Sequence, residues 1–273
     1  MKERSIVRGF RVKRHVGRHA AFTGILLLCI YSIAIPASLA QGTFRASPSP
    51  RLPALPKVVD RTDIKTKHKV IAAEVIALLP ERCRSRIRNF YVHYDGTLKS
   101  RGYAGKDTVI MRGDLPDSEF RGVLVHEVIG HFNDLGCIAG TPSSGASAFR
   151  DGTDIIYKDD PSVLFYTIDW SGETVRQKGS VKTNFISGYS LHDAFEDQAE
   201  FLTAYVLNPR YVRTRAARNE AIARKLAWVE TYVFPGGLTA ARGLYQERGK
   251  ELPWDATKMP YVWEGQNLVA ANR

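Results

Sequence analysis

Apolar residues recur at helical spacing over residues 63–79, where Ile64, Val70, Ile71, Val75, Ile76 and Leu79 align and Pro80 closes the run. The next pattern is extended. Phe90-Tyr91-Val92-His93-Tyr94 and Thr108-Val109-Ile110-Met111-Arg112 read as strands joined by a Gly-containing connection. Helical periodicity then returns between Asp117, an expected N-cap, and Leu135, with Gly136 as C-cap and Phe120, Val123, Leu124, Val128 and Phe132 as the apolar face. Residues 137–187 are irregular, with a strand expected around Leu164–Trp170. A second helix is expected over Leu191–Leu207, stopped by Asn208-Pro209, and a third, basic and amphipathic, over Val212–Phe234. The aromatic tail Trp254–Trp263 is expected to pack back on the domain. A small sheet, then these helices, gives an α+β class.

The chain divides unevenly. Residues 1–19 carry seven Lys/Arg and one Glu, an apolar run extends from Ala20 to Ile35, and Ser38-Leu39-Ala40 follows. This is the pattern of a secretory signal cleaved after Ala40, which predicts a secreted or periplasmic protein. The run is short for a stable span and no second one follows, so no membrane span is expected in the mature chain. Residues 41–60 read as a Pro-rich linker, extended around Ser47–Pro56, leaving 61–273 as one domain.

Charge and cysteine change the picture little. Without residues 1–40 the formal net charge falls from +11 to +5, which excludes a nucleic-acid footprint. Arg82, Arg84, Arg86 and Arg88 form the one tight basic cluster and read as a solvated face. Cys83 and Cys137 remain, an even pair that suggests a disulfide in an oxidising compartment. Asp151, Asp154, Asp159 and Asp160 are dense but lack the period of a calcium loop, so turn chemistry is the better reading.

The chemistry concentrates in His126-Glu127-Val128-Ile129-Gly130-His131 and Glu196-Asp197-Gln198-Ala199-Glu200. Two imidazoles and a later carboxylate are the donor set of a catalytic Zn2+ site. His126, His131 and Glu196 are therefore the expected ligands, with Asp197 a weaker substitute for Glu196. The spacing is one residue longer than H-E-x-x-H. Positions i and i+5 lie about 140° apart on an ideal helix, so both rings reach one ion only through a π-bulge, predicted within Glu127–His131 and eased by Gly130. Glu127 is the candidate general base. Glu200 shares the face of Glu196 and can orient a ligating histidine. Tyr189 is a candidate oxyanion donor, and His192 a second one, or a ligand should the bulge not form.

At these residues the chain resembles zincin metallopeptidases of the gluzincin kind. His126–His131 is similar to the H-E-L-L-G-H motif of the dipeptidyl peptidase III family, and Glu196–Glu200 to its E-x-x-A-E. The resemblance implies zinc on His126, His131 and Glu196, catalysis by Glu127, and Glu200 behind the ligands. Those peptidases are much larger, with a second lobe. Tyr189 followed by Glu196-x-x-x-Glu200-Phe201 resembles the anthrax lethal factor type, which uses the shorter motif and in which such a tyrosine assists catalysis. Phe165-Tyr166-x-Ile168-x-Trp170, Ser187-Gly188-Tyr189 and Phe195-Glu196-Asp197 also resemble a group of uncharacterised bacterial zincin-like proteins. The expectation is a zincin-like domain acting on a peptide or protein, with Val109–Met111 as a strand on which substrate can pair. An inactive binding protein on the same scaffold and a cell-wall peptide hydrolase are the competing expectations.

Overall fold

The computed structural model describes residues 55–132, 137–247 and 251–265. The expected signal sequence, most of the expected linker and the expected C-cap Gly136 lie outside them. The packed chain begins before residue 61, because Val59 is fully buried and its amide donates to the carbonyl of Pro56.

Helix α1 (Thr66–Ile76) forms where the periodicity places it and buries Ile71, Ala72, Val75 and Ile76. It packs against α3, and a short helix, α2 (Glu81–Arg84), follows Pro80. Strands β1 (Asn89–His93), β2 (Gly102–Gly105) and β3 (Thr108–Arg112) build a sheet in the order β1-β3-β2. β1 runs parallel to β3, and β2 antiparallel to it. Phe90, Val109 and Met111 are fully buried, the alternation expected of strands with one face on a core. The register has a consequence for binding. Val109–Met111 lies on the central strand, paired on both sides, and the edges belong to β1 and to β2, the latter missed by the hydrophobic pattern because its sequence is Gly-Tyr-Ala-Gly.

Helix α3 (Asp117–Val125) starts with Asp117 as its first residue rather than its N-cap; Pro116 holds the cap position. The α-helix ends ten residues before the expected Leu135, giving way to a π-helical turn over His126–Gly130. Beyond it, β4 (Ala146–Asp151) and β5 (Asp154–Tyr157) pair as a hairpin. Residues expected as a strand at Leu164–Trp170 instead form α4 (Pro161–Tyr166), with only Trp170 entering β6 (Trp170–Gly172), paired to β7 (Val175–Arg176). The override has a local cause: Asp160 caps the Ser162 amide at 2.8 Å and Pro161 occupies the first turn. Asp159 accepts from Thr141 and Ser144, so two of the clustered aspartates serve turns and caps.

The second expected helix is α5 (Ala194–Leu207), capped by Asp193, whose carboxylate accepts from the amides of Phe195 and Glu196 at 2.9 and 2.8 Å. From Asp197 to Leu207 every residue is buried, so α5 is the axis of the domain. The third expected helix is broken in two. Asn208 caps α6 (Pro209–Ala216), Asn219 caps α7 (Glu220–Trp228), and a π-turn over Val229–Val233 follows. The tail returns as expected, pairing β8 (Ala241–Gly243) with β9 (Tyr261–Trp263) and burying Ala256 and Met259. Cys83 and Cys137 are buried free thiols rather than a disulfide. Among the described residues no helix is long and apolar enough to cross a membrane.

One element of the core was invisible in the sequence. Lys225 is fully buried, with its ammonium 2.6 Å from Asp197 and 3.0 Å from Asp169. Trp170 Nε1 donates to Asp197 at 3.0 Å, and Ser180 and Asn184 donate to Asp169. Burial raises the Asp197 pKa to about 6 even against the opposing pull of Lys225. The Lys225→Met variant leaves two carboxylates without their cation and is expected to lose about 3–5 kcal/mol in denaturant unfolding at neutral pH. A carboxyl raised in the fold binds more protons native than unfolded, so its contribution falls as pH rises from about 4 to about 6. The penalty in the variant is therefore expected to be smaller at pH 5 than at pH 7.5.

Candidate metal centre

The π-turn decides where the two imidazoles point. The amide of His131 bonds to the carbonyl of His126 at 3.0 Å, an i→i+5 bond that absorbs the extra residue of the motif. His131 itself leaves helical torsions, with φ −92° and ψ 31°. The result is an Nε2–Nε2 separation of 3.3 Å between His126 and His131, with ring planes 74° apart.

Gly130 sits in that turn for a different reason than torsional freedom. It is not among the positive-φ residues. A Cβ placed on it would lie 2.9 Å from the Cα, Cβ and carbonyl oxygen of Ala199. The absent side chain thus lets the turn meet the backbone of α5, three residues beyond Glu196 and one before Glu200. That approach delivers the third donor: Glu196 Oε2 stands 3.2 Å from His126 Nε2 and 3.8 Å from His131 Nε2.

These three atoms fit a metal ion. Donors about 2.1 Å from a tetrahedral ion stand about 3.4 Å from one another, and the observed edges are 3.2, 3.3 and 3.8 Å. Glu196 Oε2 is buried, faces the two imidazole nitrogens and makes no further hydrogen bond, so a cation among the three atoms would complete its surroundings. His126, His131 and Glu196 also form the cluster of metal-ligand type found among the described residues. A His-His-Glu group able to hold a metal ion is therefore built into the fold.

Behind His126 stands a second carboxylate. Glu200 is fully buried; its Oε1 lies 3.2 Å from His126 Nδ1, and its Oε2 accepts from the Ala256 amide at 2.7 Å. This leaves Nε2 as the atom His126 offers forward, as a metal-bound imidazole requires. Burial opposes charge on the His126 ring, but the carboxylates of Glu196 and Glu200 outweigh it and raise its pKa well above the ordinary value. Burial likewise pushes the Glu196 carboxyl up, and the histidines more than offset it, so that its pKa is lowered and the group is ionised at neutral pH.

The remaining expected residues fall into two groups. Glu127 and Tyr189 line the same cleft as the ligands, a space of about 480 Å³ bounded by β2 on one side and Trp254–Thr257 on another. Tyr189 donates to Glu196 Oε1 at 3.2 Å. Glu127 packs under β2 so closely that a Cβ on Gly102 would lie 2.7 Å from its Cγ. His192 does not join them. Its ring stacks on Tyr189 at 5.9 Å, its Nδ1 pairs with Asp193 at 2.9 Å, and it is largely exposed outside the cleft lining. Asp197, the weaker substitute ligand, points away to Lys225. Sequence reasoning missed Gly102, Trp254 and Asp255, which no local pattern ties to ligands that lie 24 to 129 positions away.

No protein-family model, no curated protein and no solved structure matches this chain.

Two measurements check the centre. Gly130→Ala is expected to push α5 away and weaken metal binding while both histidines remain, read by metal content after dialysis at limiting metal. Because His126 must be neutral to ligate, metal and proton compete. The folded pKa is raised, so affinity is expected to rise with pH above the ordinary histidine range, with about one proton released on binding. Titration calorimetry in buffers of differing ionisation enthalpy reads that release, and a pH-independent affinity contradicts it.

Proposed function

We propose that this chain is a zinc-dependent metallopeptidase with a zincin-like α+β domain. The observation that carries the reading is the His126–His131–Glu196 triangle with Glu127 in the same cleft. Two imidazoles, one carboxylate and an open side match catalytic zinc, which keeps three protein ligands and one exchangeable position. Calcium and magnesium favour sets of six or more oxygens, which this group does not offer.

Zinc, when bound, supplies a Lewis acid for the scissile carbonyl and lowers the pKa of water toward about 7. Glu127, adjacent to the first ligand, accepts the proton of the attacking water and passes it to the leaving amine. Tyr189 keeps its proton: burial first, and then the charge of Glu196, raise its pKa above the ordinary phenol value. It is thus a hydrogen-bond donor at neutral pH, able to exchange its bond to Glu196 for one to the oxyanion. The β2 edge, small at Gly102 and Ala104 where it lines the cleft, holds an extended peptide by main-chain bonding, the role that the sequence pattern alone would give to Val109–Met111. The signal sequence expected at residues 1–40 fits a peptidase acting outside the cytoplasm.

The test begins with metal analysis of the protein spanning residues 41–273 and its hydrolysis of a broad peptide library, before and after chelation. Glu127→Gln is expected to retain zinc and lose about 10²–10⁴-fold in kcat. Tyr189→Phe is expected to lose about 10²-fold in kcat with little change in metal content. Full zinc occupancy with no turnover on any peptide sinks the peptidase reading in favour of a binding protein. Cleavage of purified sacculi but not casein redirects it to cell-wall peptides.

A further inference from the structure

Trp254 is the most exposed large apolar side chain among the described residues, at 72%, yet it lines the candidate active-site cleft. Its backbone is firmly held. The Tyr189 amide donates to the Trp254 carbonyl at 2.7 Å, and the Gly188 amide to the Pro253 carbonyl at 2.8 Å. The indole lies directly on Gly188, where a Cβ would stand 2.7 Å from Cε3. The next residue, Asp255, pairs with Arg101, which also donates to Glu119 at 3.2 Å and Thr257 at 2.8 Å. Arg101 immediately precedes β2, and Tyr103, two residues on, is the second exposed aromatic lining the cleft, at 52%. One ion pair therefore fastens the segment bearing Trp254 beside the edge strand bearing Tyr103. Two large apolar surfaces are kept in water on a fixed backbone, next to the catalytic groups. Such surfaces are burial sites for a ligand's own apolar group.

We propose that Trp254, with Tyr103 beside it, forms an aromatic subsite that selects peptides carrying an aromatic or large aliphatic side chain next to the scissile bond. The inference rests on the peptidase reading and narrows its substrate class. Trp254 supplies most of the contact, because the indole presents the larger and more exposed face. Tyr103 closes the other side, and its small neighbours Gly102 and Ala104 let substrate backbone approach β2. Selection of this kind acts through burial of the substrate side chain, so it changes binding more than the chemical step.

The experiment uses the zinc-loaded Glu127→Gln protein, in which binding is read without cleavage, and two fluorescein-labelled hexapeptides differing only in a central Phe or Ala. Anisotropy is expected to show the Phe peptide binding on the order of tenfold more tightly than the Ala peptide. Adding Trp254→Ala is expected to abolish that difference, and Trp254→Phe to restore part of it, with zinc content unchanged in both. Equal affinity for the two peptides, or a preference that survives Trp254→Ala, overturns the proposal. The two readings fail separately. A Phe preference lost with Trp254 but no hydrolysis by the wild type keeps the subsite and removes the peptidase. Hydrolysis by the wild type with no side-chain preference keeps the peptidase and removes the subsite.

Discussion

The contact on which the centre depends is the crossing of the π-turn with α5 at Gly130 and Ala199. Glycine removes the side chain that would separate the two backbones, and the i→i+5 bond turns His131 back toward His126. Neither feature suffices alone. The turn without the close approach would bring the rings together but leave Glu196 out of reach. The approach without the turn would bring the carboxylate to one ring only. Interiors pack too densely for either gap to be filled by relaxation, so the geometry is set by which atom is missing as much as by which are present.

The same helix carries an electrostatic problem and three separate solutions. Glu196, Asp197 and Glu200 all enter buried surroundings, and a buried carboxylate without a partner is unfavourable by several kcal/mol. Glu196 faces the two histidine Nε2 atoms, Glu200 faces His126 Nδ1 and the Ala256 amide, and Asp197 faces Lys225 and Trp170. Asp197, pointing opposite to its neighbour, fixes the rotation of α5 from behind. The Lys225 cluster and the metal centre are thus the two ends of one constraint on one helix.

Much of the site was legible locally. The donor residues, the need for a bulge and the supporting role of Glu200 rest on spacing within five or six residues, or on chemistry that tolerates few substitutes, whereas the Asp193 cap that starts α5 lay inside the expected helix. The errors share a cause as well. Asp160-Pro161 gave a local helix-start signal that the apolar run Val163–Tyr166 obscured, so α4 was expected as a strand. The long third helix was broken at Asn219, a capping residue inside a continuous amphipathic pattern. His192 had suitable chemistry and spacing, but the bond to Asp193 turns it outward.

By itself the sequence determined the donor types, their spacing and the distortion their convergence requires, because backbone hydrogen bonding in a helix is short-ranged. Tertiary structure alone decided which strand has a free edge, which glycine marks a helix crossing, and which tryptophan meets the cleft. Those outcomes depend on strand register and on contacts between segments up to about 150 residues apart, as between Arg101 and Asp255. Such pairings carry no periodic or local signature, since their stabilisation arises only when folding brings the partners together.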